Sequence, residues 1–331
     1  MLKIDLENHF YDISTIEALE KRTSVPFYDK NNDVIQWTEG VRMPQGELLK
    51  KLLDVGDKRV KLMDDEGIDR AVLSCSPGPE QLDTEVSIEV CKATNDALAQ
   101  VIKKYPGRFY GSAILPVKDV EAACTELERC VKNYGFVSCH THSNYGSETP
   151  DQEKFRPIFK KAAELGIYVY LHPQLPENER MDGFGFTFAG PGLGFTVDTV
   201  TTIMRMIVSG IFDEIPNLKV VLGHLGEGIP FLLDRIDNRI AFLPNPQIKC
   251  RHDVSYYFKH NIWVTTSGNM SEDAFVCAKN VLGMDHILFG SDYPYECAHD
   301  MVEFLKAIPL NVKENEQLYC ENATNILNIP Q

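Results

Sequence analysis

Along this chain, short apolar runs alternate with longer stretches whose apolar positions recur about every 3.6 residues. The runs at 2–6, 71–74, 109–114, 136–139, 167–171, 219–222, 262–265 and 287–289 predict buried strands. Between them lie segments with helical spacing, such as 86–104, 120–131, 152–165, 197–211, 271–282 and 301–308. Gly67, Gly135 and Gly166 each stand where a helix stops and the next strand begins, as expected of a residue just past a helix end. Eight strand–helix units predict a TIM (β/α)8 barrel, with residues 1–331 as one domain. An open doubly wound sheet is the alternative, but no glycine-rich phosphate fingerprint follows the first strand.

Three stretches interrupt the alternation, giving insertions after strands 1, 5 and 6. Residues 12–50 carry Pro26, Phe27, Tyr28, Trp37 and Pro44. Residues 173–196 are rich in Gly, Pro and Phe, including Met181-Asp182-Gly183-Phe184, and residues 241–259 contain Pro244 and Pro246. Long irregular segments are usually lids or interface segments, and all three are expected on the carboxyl-terminal rim of the barrel. The aromatic groups around Phe27–Tyr28 and Phe184–Phe188 are expected to wall a pocket.

Charge narrows the function. A net charge of −15 argues against a nucleic-acid surface or a polybasic membrane patch. An anionic small molecule stays open, because a metal ion or one arginine reverses the potential locally. The nine cysteines form no Cys-x-x-Cys pair, which fits reduced thiols in a cytoplasm. The amino terminus has an acid at position 5 and no apolar signal-peptide core. No apolar run is long enough to span a bilayer.

The candidate chemistry lies at predicted strand ends. Glu7 and His9 follow the first strand, two residues apart and so on one side. His172 ends the fifth strand, His224 the sixth and Asp292 the eighth. Each alone reads as an ordinary structural residue. Ligand-type side chains on four strand ends of one rim point instead to a metal site. Carboxylate and imidazole donors without thiolate suit one divalent ion of borderline hardness, Mn2+ or Zn2+.

These residues lie in stretches that resemble the amidohydrolase superfamily and, within it, its metal-dependent aromatic acid decarboxylases. That group includes the γ-resorcylate, 5-carboxyvanillate and aminocarboxymuconate semialdehyde decarboxylases. The stretches are Leu6-Glu7-Asn8-His9-Phe10, Tyr170-Leu171-His172-Pro173, Gly223-His224-Leu225-Gly226-Glu227-Gly228, Arg235-Ile236-Asp237-Asn238-Arg239, Thr265-Thr266-Ser267-Gly268 and Phe289-Gly290-Ser291-Asp292-Tyr293-Pro294. The resemblance implies that Glu7, His9, His172 and Asp292 ligate the ion, with His224 and Glu227 lining the site. It implies that Arg235 meets a substrate carboxylate across the interface of a homodimer or homotetramer. Glu7 stands where hydrolase branches usually carry histidine, and a carboxylate there favours the harder Mn2+. Where many hydrolases bridge two metals with a modified lysine, this chain has Ser138-Cys139-His140-Thr141-His142, which argues for one metal. The resemblance assigns no role to His140 or His142, and they read as pocket wall or structural polar residues.

The expected activity is non-oxidative decarboxylation of a hydroxybenzoate-type acid resembling 2,6-dihydroxybenzoate. Direct loss of CO2 would leave an unstable aryl anion, so the ring carbon must be protonated first, with Asp292 as the acid and His224 assisting. A hydrolase or hydratase acting on a lactone or small carboxylated compound would share every ligand. A barrel that binds without turnover is the third reading.

Overall fold

The computed structural model describes every residue except Met1, Asn178, Asp182, Pro244, Pro330 and Gln331, so Asp182 and Pro244 lie outside the described residues. Eight parallel strands run in chain order: β1 (Ile4–Phe10), β2 (Arg70–Cys75), β3 (Phe109–Ile114), β4 (Ser138–His142), β5 (Tyr168–His172), β6 (Lys219–Leu222), β7 (Ile262–Thr265) and β8 (Ile287–Leu288). The first and last strands meet. Leu6 N donates to Phe289 O at 2.9 Å, His9 N to Tyr293 O at 2.7 Å and Asp292 N to Glu7 O at 3.0 Å. Helices between successive strands complete the (β/α)8 barrel, among them Asp57–Glu66, Thr84–Lys104, Val120–Tyr134, Gly194–Val208 and Ile229–Phe242. Gly67 and Gly135 end two of them in the left-handed conformation, with φ of 65° and 68°. Among the described residues no helix is long and apolar enough to cross a membrane.

Two apolar layers hold the barrel. The larger packs the outer faces of the strands against the helices. The smaller lies inside, where Ile4, Leu6, Tyr168, Tyr170, Val221 and Leu288 meet Ala323, Ile326 and Leu327 near the carboxyl terminus. A bulge in β1 then decides where the polar side chains go. Three residues, Asp5 to Asn8, advance against two of β2, Ala71 to Leu73. One extra residue reverses the inside–outside alternation. Ile4 and Leu6 therefore fill the barrel below, while the odd-numbered Glu7 and His9 face its mouth. Asp5 binds the seam, accepting from Glu7 N, Asn8 Nδ2, Ser291 N and Ser291 Oγ.

The insertions differ from expectation in two ways. Residues 12–50 are ordered into a helix, Ile13–Glu20, and a three-stranded antiparallel sheet, Phe27–Asp29, Val34–Thr38 and Val41–Gln45. The 241–259 segment is not on the carboxyl-terminal rim. Lys249 N donates to Val208 O at 2.8 Å and Arg251 N to Asp213 Oδ2 at 3.0 Å, which places it at the opposite end, beside the approach to β6. The helix Ile229–Phe242 has already carried the chain down the outside of the barrel.

Candidate metal centre

The mouth of the barrel brings together all five strand-end residues. Glu7 and His9 come from β1 and His172 from the end of β5. His224 follows β6 and Asp292 follows β8. Glu7, His9 and His172 form one group of potential ligand atoms and Glu7, His224 and Asp292 another, each within 4.8 Å. The groups join where His9 Nε2 lies 3.1 Å from Asp292 Oδ1 and 3.7 Å from Glu7 Oε1.

Neighbouring side chains orient these donors. Thr265 Oγ1 donates to Glu7 Oε2 at 2.8 Å, and Ser267 Oγ lies 2.8 Å from Thr265 Oγ1 and accepts from His224 N at 3.2 Å. This chain occupies one oxygen of Glu7 and leaves Oε1 buried without a hydrogen-bond partner. Both ring nitrogens of His9 are likewise buried without a hydrogen bond, Nε2 having only its ion-pair contacts with Asp292 and Glu7. Buried polar atoms are almost always partnered, and each one left alone costs about 1–3 kcal/mol. His172 Nδ1 faces Pro173 O at 2.7 Å, so the proton belongs on Nδ1 and the Nε2 lone pair is free. A carboxylate oxygen and imidazole nitrogens left open and converging fit a divalent cation.

Charge is distributed to match. Burial opposes a charged ring at His9, but Asp292 and Glu7 outweigh it and raise its pKa to about 9. Burial likewise opposes charge on His224, yet Glu227 and Asp292 hold its pKa well above the ordinary value. Burial alone would raise Asp292, but the rings of His224 and His9 overcome this and keep it below the usual carboxylate range. Burial and the neighbouring histidine rings hold His172 far below its ordinary value, leaving a neutral imidazole. Both shifts favour an ionised Asp292 beside a protonated His224.

His224 and Glu227 owe their placement to a left-handed turn. His224, Leu225, Gly226, Glu227 and Gly228 all have positive φ, from 54° to 77°. Left-handed backbone costs non-glycine residues about 1–2 kcal/mol each, a strain typical of functional sites. The turn brings Glu227 Oε1 to 2.6 Å from His224 Nδ1, while Thr196 Oγ1 donates to Glu227 Oε2 at 2.6 Å. Gly226 has φ of 77°, and a Cβ there would sit 3.0 Å from Val264 Cγ1. Gly226→Ala is expected to lower stability by about 1–2 kcal/mol in urea denaturation. An unchanged midpoint would count against the strain argument.

The centre opens into a cavity of about 1280 Å3 that includes His172, His224, Glu227, Asp292 and Tyr295. Its apolar wall is supplied by Trp37, Val41, Met43, Leu48, Phe186 and Phe195. This corrects the expected aromatic wall: among the described lining residues, Phe186 is present while Phe27, Tyr28, Phe184 and Phe188 are not. Phe184 is 79% exposed. Arg235 also does not line this chain's cavity; it is exposed on the outer helix Ile229–Phe242. Thr265, Ser267 and Trp37 escaped sequence reasoning as site residues because hydroxyls and a lone aromatic carry no ligand pattern. Thr265 and Ser267 did lie in a stretch already singled out.

Such a centre in the mouth of a (β/α)8 barrel defines a metal-site barrel enzyme. The chain belongs to the amidohydrolase family, whose pattern matches residues 4–329. Within that family it is similar to the γ-resorcylate decarboxylase of a Polaromonas species, 34% identical over 339 residues and covering 99% of this chain and 98% of the relative. The corresponding protein of a Rhizobium species is 36% identical over 296 residues, covering 86% and 90%. Among solved structures, a 2,6-dihydroxybenzoate decarboxylase from Rhizobium superposes with a TM-score of 0.87 at 31% identity, covering 99% of both chains. A dihydroxybenzoic acid decarboxylase from Polaromonas, solved with manganese and 2-nitroresorcinol, gives a TM-score of 0.85 at 32% identity, covering 99% and 97%.

Proposed function

We infer that this chain, read as a single domain over residues 1–331, is a metal-dependent, non-oxidative decarboxylase. Its substrate is a hydroxybenzoate-type aromatic acid resembling 2,6-dihydroxybenzoate. The observation that carries the reading is the cradle of Glu7 Oε1 and the His9 nitrogens, buried, without hydrogen bonds and converging with Asp292. Glu7, His9, His172 and Asp292 would hold one divalent ion. Mn2+ is favoured over Zn2+, because two carboxylates make the seat hard and a related structure holds manganese. When bound, the ion would supply positive charge to the substrate's carboxylate and neighbouring phenolic oxygen.

The proton path follows from the charges. His224, protonated and oriented by Glu227, has Nε2 3.9 Å from Asp292 Oδ2. Asp292 passes this proton to the ring carbon that bears the carboxylate, forming a C–H bond and interrupting the aromatic system. The C–CO2 bond then breaks, its electron pair restores the ring, and CO2 leaves neutral. Recovery of the aromatic ring and departure of neutral CO2 drive release, and the apolar wall excludes water.

The substrate's anionic end needs a cation beyond the centre. Lys118 is the lone Lys or Arg among the described lining residues, and its Nζ is committed to Gln81 O and Leu82 O. We assign the missing guanidinium to Arg235 of a second copy, in a homodimer or homotetramer. Its helix also exposes Phe231 and Phe242, 82% and 72% accessible, as a mating surface would. Arg235→Ala should lower kcat/KM roughly 10–100-fold, the worth of a charge-assisted hydrogen bond. Mixed oligomers of Arg235→Ala and Asp292→Asn chains should regain activity. Failure of the mixtures to exceed either parent would remove Arg235 from a partner's site. The nine free cysteines fit a cytoplasmic setting.

The deciding experiment is CO2 release from 2,6-dihydroxybenzoate, 2,3-dihydroxybenzoate and 5-carboxyvanillate by protein loaded with Mn2+ or Zn2+. Metal-dependent release from at least one acid is expected. Metal bound without CO2 from any of them would overturn decarboxylation in favour of hydrolysis.

A further inference from the structure

Below the cavity wall, β4 carries two histidines that the proposed chemistry does not use. His140 and His142 are buried, and His142 pairs in register with His172 across β4 and β5. The rings of His140 and His172 meet edge-on at 4.8 Å, and those of His140 and His142 lie 5.1 Å apart. One ring nitrogen from each of the three residues falls within 4.8 Å of the others. His140 Nε2 and both nitrogens of His142 have no hydrogen-bond partner.

We propose that His140, His142 and His172 form a second seat for a divalent ion, made entirely of imidazole nitrogen and sharing His172 with the carboxylate-bearing seat. Two of the rings have an acceptor at the outer nitrogen, as metal-binding histidines do, and the third has a carboxylate close by. His140 Nδ1 faces Cys75 O at 2.9 Å and His172 Nδ1 faces Pro173 O at 2.7 Å. The buried carboxylate of Glu80 stands 3.5 Å from His142 Nδ1. The two hydrogen bonds put the proton on Nδ1 of His140 and His172, the Glu80 carboxylate favours the same at His142, and Nε2 is left as the donor atom. Three such nitrogens with an open fourth position suit Zn2+ and ions of similar softness, whereas the seat with Glu7 and Asp292 suits Mn2+. A ring nitrogen bonds one ion at a time, so an ion in the second seat takes His172 from the first, and zinc antagonises manganese. The antagonism, though not the seat, rests on His172 ligating the first ion.

The test uses the full chain, stripped of metal. Glu7→Gln with Asp292→Asn removes both carboxylates of the first seat and leaves the three imidazoles. Calorimetric titration should find one Zn2+ bound, and Co2+ should give the intense visible absorption of a four-coordinate site. Adding His140→Asn or His142→Asn should abolish both signals, and adding Glu80→Gln should weaken Zn2+ roughly 10–100-fold. Zinc binding absent from the double variant, or indifferent to both histidine substitutions, would overturn the seat. Anomalous scattering at the zinc edge from zinc-soaked crystals of the unsubstituted protein decides the matter independently of variant folding. A peak among the three Nε2 atoms supports the seat. A peak confined to Glu7, His9 and Asp292, or no peak, refutes it. Mn2+ binding by the unsubstituted protein, read by electron paramagnetic resonance, separately tests the first seat.

Discussion

Asp292→Asn should reduce decarboxylation by about 10^2–10^4-fold in kcat, the range that a positioned acid contributes. On the proposed reading the side chain is both proton donor and metal ligand; its Oδ1 lies 3.1 Å from His9 Nε2 and its Oδ2 3.9 Å from His224 Nε2. Asparagine keeps the shape but can neither accept the proton from His224 nor deliver one to the ring carbon. The informative measurement therefore pairs single-turnover CO2 release with metal content. Full metal occupancy with the step abolished would place the loss in proton delivery. Near-normal turnover would remove Asp292 from that role and leave His224 as the donor. His224→Ala should then be the more damaging substitution.

Stripping the divalent ion should abolish CO2 release altogether and also cost stability. The metal-free cradle buries Glu7 Oε1 and both His9 nitrogens without hydrogen bonds, and His9 carries a pKa of about 9 among two carboxylates. A cation satisfies those atoms only in the folded chain. Saturation at a hundredfold above Kd should therefore stabilise the fold by about 2.7 kcal/mol, seen as a rise in Tm. The cation must also displace the proton on His9. Apparent affinity should thus increase with pH until about 9 and flatten above it, where the ring is already neutral. Glu7→Gln should remove most of the thermal shift. A metal-independent Tm, with activity surviving prolonged chelation, would refute the metal centre.

Most of the barrel is visible in the chain because it depends on local patterning. Apolar runs such as Lys219–Leu222 and Ile262–Thr265 are strands as read, and Gly67 and Gly135 stop helices as expected. The misreadings cluster at the mouth. β1 reaches Phe10 and β4 reaches His142, beyond the apolar runs read at 2–6 and 136–139, because backbone pairing with adjacent strands continues where the lining turns polar. Hydrophobicity stops at such a point, but hydrogen bonding does not. The 12–50 insertion hid its small sheet because three short strands carry too few alternating positions to register.

By itself the sequence determined the number and order of the barrel strands, the ligand-type residues at four of their ends, and the family whose motifs they form. Those are properties of neighbouring residues, set by periodicity, turn chemistry and side-chain type. Only the tertiary structure decided how these residues are used. A one-residue bulge in β1 turned Glu7 and His9 toward the mouth, and Thr265, 258 positions away, claimed one oxygen of Glu7 and left the other open. Arg235 went to the outer surface, the 241–259 segment to the far end, and two unclaimed histidines to a place beside His172. Each outcome depends on which distant strands become neighbours when the barrel closes, and that geometry has no signature in any local stretch of the chain.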